Sequence, residues 1–198
     1  MTGKCGTSEA ANTDRDSGFT LVELLVSSAL AILILTIAGS LLLSGLRTQE
    51  TATSVTDATT SAQQIARSVQ GGVRNASALS MTVGGDAGSE LLLARVLGSG
   101  AESTAHCQAW YYTTGNGGAV YTTTSAGVIT APSGPPASGW TLLGTGVSPA
   151  ADGGPVLLAP SNSRVELTFK VAAAAHPYVL IKTTTFTQQS TTVSAPCF

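Results

Sequence analysis

Carboxylates, cysteine thiols and two histidines are the main candidates for chemistry in this sequence. Glu23 is the most unusual of them. It lies near the start of a long apolar run, and no other charged residue occurs between Leu24 and Leu46. A carboxylate near the centre of a bilayer costs about 2.5–3.5 kcal/mol on insertion scales. We therefore expect Glu23 either to have a cationic partner or to lie at the headgroups near the end of a helix.

The histidines and cysteines do not form a catalytic or metal-binding pattern. His106 and Cys107 are neighbours in a predicted strand, so their side chains point to opposite faces, which does not suit a nucleophile and its base. His106 and His176 are too few for a zinc site with Cys107 and Cys197 at these separations. We predict no enzyme activity, no cofactor and no metal site.

The three cysteines are divided by the apolar run. Cys5 precedes it, whereas Cys107 and Cys197 follow it. If the chain is cut just before the run, the mature protein keeps two cysteines on the far side of a membrane. Two cysteines there fit one disulfide in an oxidising compartment, so we predict a Cys107–Cys197 bond. Two unrelated buried thiols are the alternative.

The apolar run itself, residues 19–46, is long enough to cross a membrane. As a helix it spans about 42 Å at 1.5 Å per residue. The hydrocarbon core of a bilayer is about 30 Å thick, so one crossing is easily made. A cleaved secretory signal fits less well, because its apolar region is usually about 7–15 residues long.

From residue 47 to residue 80 we predict that the helix continues with one apolar face. Small apolar residues recur there at spacings of three, four or seven, which is typical of an amphipathic helix. They are Val55, Ala58, Ala62, Ile65, Val69 and Ala76. Glycine weakens a helix by roughly 1 kcal/mol relative to alanine, so we expect a kink or an early end at Gly71-Gly72.

Residues 81–198 are predicted to form a globular β domain. The stretch "SRVELTFKV" alternates apolar and polar residues, and "PYVLIKTTTFT" is expected to pair with it antiparallel. The turn "GNGG" between "CQAWYYTT" and "AVYTTTS" indicates a hairpin. Prolines and glycines between Ile129 and Pro160 indicate a long loop region, with short strands possible at Trp140–Leu143 and Val156–Leu158. The pattern predicts an α+β fold: a long N-terminal helix packed on an antiparallel sheet with a loop-rich insertion.

Charge is sparse in this chain. Charged residues make up 10% of it and the net charge is -2, so the composition gives no evidence for a polyanionic partner. The sequence has no basic patch with interleaved aromatic residues and gives no direct evidence for a nucleic-acid partner. Five aromatic residues could form a binding patch, although packing in a core is their commoner use. They are Trp110, Tyr111, Tyr112, Tyr121 and Trp140.

The stretch "GFTLVELLV" closely resembles the processing and methylation motif of type IV prepilins and type II secretion pseudopilins. The resemblance implies that a membrane aspartyl prepilin peptidase cuts between Gly18 and Phe19 and that Phe19 is then N-methylated. Residues 1–18 would be the cleaved leader peptide. Glu23 would become the fifth residue of the mature chain, which matches a near-invariant glutamate of that family.

The resemblance also gives Glu23 a partner. The positive end of the helix dipole favours a first-turn carboxylate by only about 0.3–1 kcal/mol, which is less than the insertion cost. A full cation is needed, and the resemblance implies the new Phe19 amine of an adjacent subunit. It further implies other pilin or pseudopilin subunits, a prepilin peptidase, an assembly platform protein and, indirectly, an ATPase as partners.

These observations predict a minor pilin or J-type pseudopilin, a structural subunit of a type IV pilus or type II secretion-like filament. We expect it in the cytoplasmic membrane as a single-pass protein with its C-terminal domain outside the cytoplasm, and in a cell-surface filament after assembly. A tip subunit that binds a surface, DNA or a secreted substrate is the alternative. An enzyme tethered to the membrane by one helix is a more remote one.

Overall fold

A computed structural model describes residues 20–97, 105–136, 138–173, 176–188 and 197–198 of the chain. These residues form one long helix followed by nine strands and a short 3-10 turn. The helix is followed by antiparallel sheets, so the predicted α+β class is confirmed.

The helix α1 spans Leu21–Arg74, which is 54 residues. Leucine, alanine and isoleucine dominate its first half, and proline is absent from it, so few residues oppose helix formation. Thr20 caps its start, because the Thr20 Oγ1 accepts a hydrogen bond of 3.2 Å from the backbone N–H of Glu23. The helix continues through Gly71-Gly72 without ending there.

The helix ends earlier than the sequence predicted. We expected it to extend to residue 80, but it ends at Arg74, and the following residues form a strand. The side chain of Asn75 donates to the Gly71 carbonyl at 3.0 Å, which satisfies one of the terminal acceptors. Pairing with a neighbouring strand then outweighs continued helix from Ala76 onward.

By contact, the chain divides into two units, Met1–Arg47 and Thr48–Phe198. The second unit contains the later part of α1 and both sheets. One five-stranded antiparallel sheet follows chain order. Its strands are β1 (Ala76–Val83), β2 (Glu90–Val96), β3 (His106–Thr113), β4 (Ala119–Ser125) and β5 (Thr141–Thr145). The predicted hairpin joins β3 and β4 through a 3-10 turn at Gly115–Gly117.

The second sheet is built around its longest central strand. Its strands are β6 (Val147–Pro149), β7 (Leu157–Ser161), β8 (Arg164–Ala173) and β9 (His176–Phe186). The strand β8 pairs with β6 and β7 on one side and with β9 on the other, all antiparallel. The predicted pairing of "SRVELTFKV" with "PYVLIKTTTFT" is confirmed by this register. The predicted loop region between Ile129 and Pro160 contains β5, β6 and most of β7.

One core joins the later part of α1 to both sheets. The helix contributes the predicted stripe of small apolar residues, and each sheet contributes one face. The buried helix residues are Ala58, Ala62, Ile65, Val69, Gly72 and Val73. Of the stripe that the sequence predicted, Val55 is exposed and Ala76 is buried in β1. On the opposite face of the first sheet a smaller cluster surrounds Tyr111.

The close approach of α1 to β3 depends on Gly72. A Cβ atom added there would overlap the indole ring of Trp110, whose Nε1 donates to the Ser68 Oγ at 2.9 Å. The indole is fully buried and held by this hydrogen bond, so it cannot move aside without loss. Gly71, its neighbour, is exposed and has no atom within 4 Å of the same added carbon.

We predict that Gly72→Ala destabilises the fold, whereas Gly71→Ala does not. Overpacking a core typically costs about 1–3 kcal/mol. Alanine recovers roughly 1 kcal/mol of helix preference at either position. The free energy of unfolding in urea, measured for both variants in detergent, checks the prediction. Equal stability changes for the two variants would contradict the close packing described at Gly72.

Candidate assembly segment and supporting residues

The first half of α1 carries apolar side chains on all sides. Every residue from Leu21 to Leu46 is exposed except the half-exposed Gly39. Leu35, Leu41 and Leu42 remain 70%, 69% and 66% exposed, which is far from the packing of a soluble core helix. A helix that is apolar all round requires an apolar environment. Among the described residues, this is the one helix long and apolar enough to cross a membrane, as the sequence predicted.

Glu23 lies in the first turn of this apolar segment. Its side chain is exposed, and its backbone N–H is the one capped by Thr20. The first-turn position places the carboxylate near the positive end of the helix dipole. The predicted processing residues Gly18 and Phe19 lie outside the described residues. The cleavage and methylation of that junction therefore stay predictions.

Three hydroxyl groups further along the segment are hydrogen-bonded within the helix. The hydroxyls of Ser28, Thr36 and Ser40 donate to backbone carbonyls three or four residues earlier, at 2.9, 2.7 and 2.8 Å. Such bonds lower the cost of a hydroxyl in hydrocarbon, because the donor is already paired. Glu23 is thus the residue of this segment whose charge has no compensating partner within the segment.

The two downstream cysteines are joined, as the sequence predicted. Cys107 in β3 and Cys197 near the C-terminus form a disulfide with their Cα atoms 5.4 Å apart, and both are buried. The bond closes a loop of 90 residues, for which the chain-entropy model gives somewhat more than about 4 kcal/mol. Cys107 is therefore a structural cysteine here and does not act as a thiol beside His106.

The aromatic residues considered for a binding patch lie mainly in the core. Trp110, Tyr111 and Tyr112 are at most 2% exposed, and Tyr121 is 8% exposed. The half-buried Trp140 packs against the Tyr111 ring, with centroids 5.9 Å apart. These five residues therefore serve packing. Within the described ranges, no group of three or more His, Cys, Asp and Glu side chains could hold a metal ion.

Glu90 ties the two sheets together, and the sequence analysis did not identify it. Its carboxylate accepts hydrogen bonds from the backbone N–H groups of Val156, at 3.0 and 3.1 Å, and Leu157, at 2.6 Å. Burial raises the pKa of the Glu90 carboxyl above its ordinary value, although the hydrogen bonds from the two N–H groups oppose this. Burial, followed by the charge of Glu90, raises the pKa of Tyr112 across the strand pair. The sequence signal that could have identified Glu90 is a glutamate at the start of an apolar strand.

The family model for the prokaryotic N-terminal methylation motif matches residues 13–43. No curated protein and no solved structure matches the chain. The predicted resemblance is confirmed over the matched residues, which contain Gly18, Phe19 and Glu23. The motif and the apolar helix together support a pilin- or pseudopilin-type subunit.

We predict that Glu90 makes stability depend on pH. Burial disfavours the charged carboxyl, so the folded chain holds this proton more tightly than the unfolded chain does. Its contribution to stability is then fully present at low pH and is lost as the pH rises from the ordinary value of 4.5 through the raised pKa.

Glu90→Gln keeps an acceptor oxygen but cannot ionise, so stability should fall less over that pH window than in the unmodified chain. Urea unfolding at a series of pH values in detergent measures the difference. Asp152→Asn, at an exposed loop position, is the control and should leave the pH dependence unchanged. The same pH dependence in the Glu90→Gln and unmodified chains would contradict the prediction.

Proposed function

We propose that the chain is a structural subunit of a type IV pilus or type II secretion-like filament. The observation that carries the proposal is the coincidence, in residues 13–43, of the methylation motif with an apolar helix that bears one carboxylate. In this proposal the subunit is inserted in the membrane through residues 19–46 and stored there until assembly. The ATPase and the platform protein that drive assembly are separate components.

Cleavage between Gly18 and Phe19 is the first step of the proposal. A glycine before the cut lets the backbone enter a peptidase site in an extended conformation without a side chain to accommodate. Hydrolysis adds water across this peptide bond and frees an α-amine at Phe19. The amine, which is then methylated, retains a positive charge at the edge of the bilayer.

Pairing between subunits is the second step. The Glu23 carboxylate of one copy binds the Phe19 amine of a neighbour, so that two charges unfavourable in hydrocarbon compensate each other. Removing one member of a buried pair typically costs about 3–5 kcal/mol, because the other charge is left without a partner. The pair therefore favours the correct axial position of one helix relative to the next. The exposed apolar side chains of α1 then pack against those of neighbouring subunits.

The β domain lies outside the cytoplasm in this proposal. The disulfide between Cys107 and Cys197 supports this location, because such bonds persist in oxidising compartments. The length of the chain and its β domain with a loop-rich insertion favour a minor subunit. The amount of this chain relative to other subunits in purified filaments would test whether it is a minor subunit.

The proposal predicts that Glu23→Ala and Glu23→Gln block assembly but leave processing intact. Neither insertion nor cleavage uses the carboxylate, whereas assembly would leave the amine of the neighbour unpaired. Glutamine keeps the shape without the charge, so it should fail nearly as badly as alanine. Sheared filaments and membranes are compared for the amount of chain, and mass spectrometry identifies the N-terminal peptide.

The expected result is a chain that begins at methylated Phe19 but accumulates in the membrane. Ser28→Ala is the matched control, because it removes a polar group in the same segment that is already bonded within its own helix. It should enter filaments normally. Normal entry of Glu23→Ala would contradict the pairing step, and filaments built from chains that keep residues 1–18 would contradict the processing step.

A further inference from the structure

We propose that a second copy of this chain docks the acidic part of its α1 helix, residues 48–57, on the outer face of β8 and β9. The inference rests on the proposed function, because it describes a lateral contact between β domains and helices in that filament. Both surfaces belong to the unit Thr48–Phe198.

On the outer face of β8 and β9, large exposed apolar side chains on β9 lie beside half-exposed polar and charged side chains on β8. The inner face of β8 is buried through Val165, Leu167, Phe169 and Val171, so the alternating residues face outward. On β9 the outward positions include Tyr178, Leu180 and Phe186, which are 55%, 54% and 58% exposed. Large apolar side chains grouped on one exposed face typically mark an interaction site.

The same face collects positive charge, and we call it the basic face. Its cations are Arg164, Lys170 and Lys182. Arg164 is engaged with Glu166 at 2.7 Å, whereas the Lys170 ammonium lies 4.7 Å from the centroid of the Tyr178 ring. Lys182 is exposed and lies opposite Thr168, two residues from Lys170 on the neighbouring strand. The two lysines therefore give the basic face its net positive charge.

The acidic helix segment has the opposite charge and is mostly exposed. Eight of the ten residues from 48 to 57 are exposed, so most of this stretch lies outside the core that covers the later part of α1. Its charged residues are Glu50 and Asp57, seven positions and hence two turns apart on one side of the helix. Val55, 36% exposed, lies on the opposite side of the helix from both carboxylates.

The two surfaces match in charge and in spacing. Glu50 and Asp57 are about 10.5 Å apart along the helix axis. Lys170 and Lys182 form a diagonal cross-strand pair about 7–8 Å apart, and their long side chains can spread to the larger spacing. Leu180 lies beside both lysines. A second copy thus supplies a partner of complementary charge.

A contact between two different surfaces of one chain also suits a filament. Such a heterologous contact leaves one surface of each kind free at the ends, and unless the rotation closes a ring it continues as an open helix. Each exposed charge pair is individually weak, but every added copy repeats the contact. In a minor subunit the contact requires two copies to be neighbours, which can be measured.

The test is a zero-length carbodiimide cross-link between lysine and carboxylate in filaments that mix nitrogen-15-labelled and unlabelled chains. We expect peptides that join Lys182 or Lys170 of one isotope to Asp57 or Glu50 of the other. Charge reversals provide the second measurement. Lys182→Glu and Asp57→Lys should each lower recovery of the chain in filaments by about two- to ten-fold, and the double variant should restore it.

Arg67→Glu is the matched control for Lys182→Glu, because it makes the same charge change at an exposed position outside residues 48–57 and outside β8 and β9. It should not lower recovery. Cross-links found only within one isotope, or a double variant as poor as the single ones, overturns the inference. If the basic face instead binds a polyanion, the mixed cross-link should be absent and Lys182→Glu should lose retention on a polyanion. That outcome also overturns the inference.

Processing at Phe19 and recovery of the unmodified chain are recorded on the same samples. Normal processing and recovery without the mixed cross-link overturn this inference and leave the proposed function standing. Failure of the unmodified chain to be processed and incorporated removes the proposed function, and this inference fails with it.

Discussion

A single carboxylate at the start of an apolar helix is the constraint on which the rest of the account depends. From Leu21 to Leu46 the side chains favour hydrocarbon on every side of α1, and the hydroxyls of Ser28, Thr36 and Ser40 are bonded to their own helix. Glu23 alone brings a charge whose insertion cost, about 2.5–3.5 kcal/mol at the bilayer centre, exceeds what the helix dipole returns. In the proposed function a partner from another molecule resolves this imbalance, and membrane storage and assembly follow from the same residue.

The later part of α1 meets a different requirement. Its buried stripe of alanine, valine and glycine lets the helix approach the first sheet closely, and Gly72 allows the contact with Trp110. Two further interactions hold the β domain together. Glu90 joins β2 to the backbone at the start of β7, and the disulfide joins the C-terminus to β3. One helix therefore combines a part that is apolar enough to cross a membrane with a part that packs in a protein core.

The sequence predicted much of this arrangement because the signals were local. The period of the apolar residues gave α1, the alternation in "SRVELTFKV" gave β8, and the motif around Glu23 gave the family resemblance. The end of α1 was misplaced, since Asn75 and the pairing of β1 with β2 decide it and neither shows in helix periodicity. Glu90 was missed because its partners, Val156 and Leu157, lie far along the chain and bind through backbone N–H groups. The basic face was missed because its lysines become neighbours only through the register of β8 and β9.

The pairing of Glu23 with a neighbouring amine is tested most directly by solid-state NMR on filaments that mix two labelled chains. One chain carries nitrogen-15 at the Phe19 amine, and the other carries carbon-13 at the Glu23 carboxylate. The account predicts magnetisation transfer between chains, with a nitrogen–oxygen separation within about 4 Å and an ionised carboxylate. Filaments of normal length with no transfer between chains, or with a protonated Glu23, would contradict it.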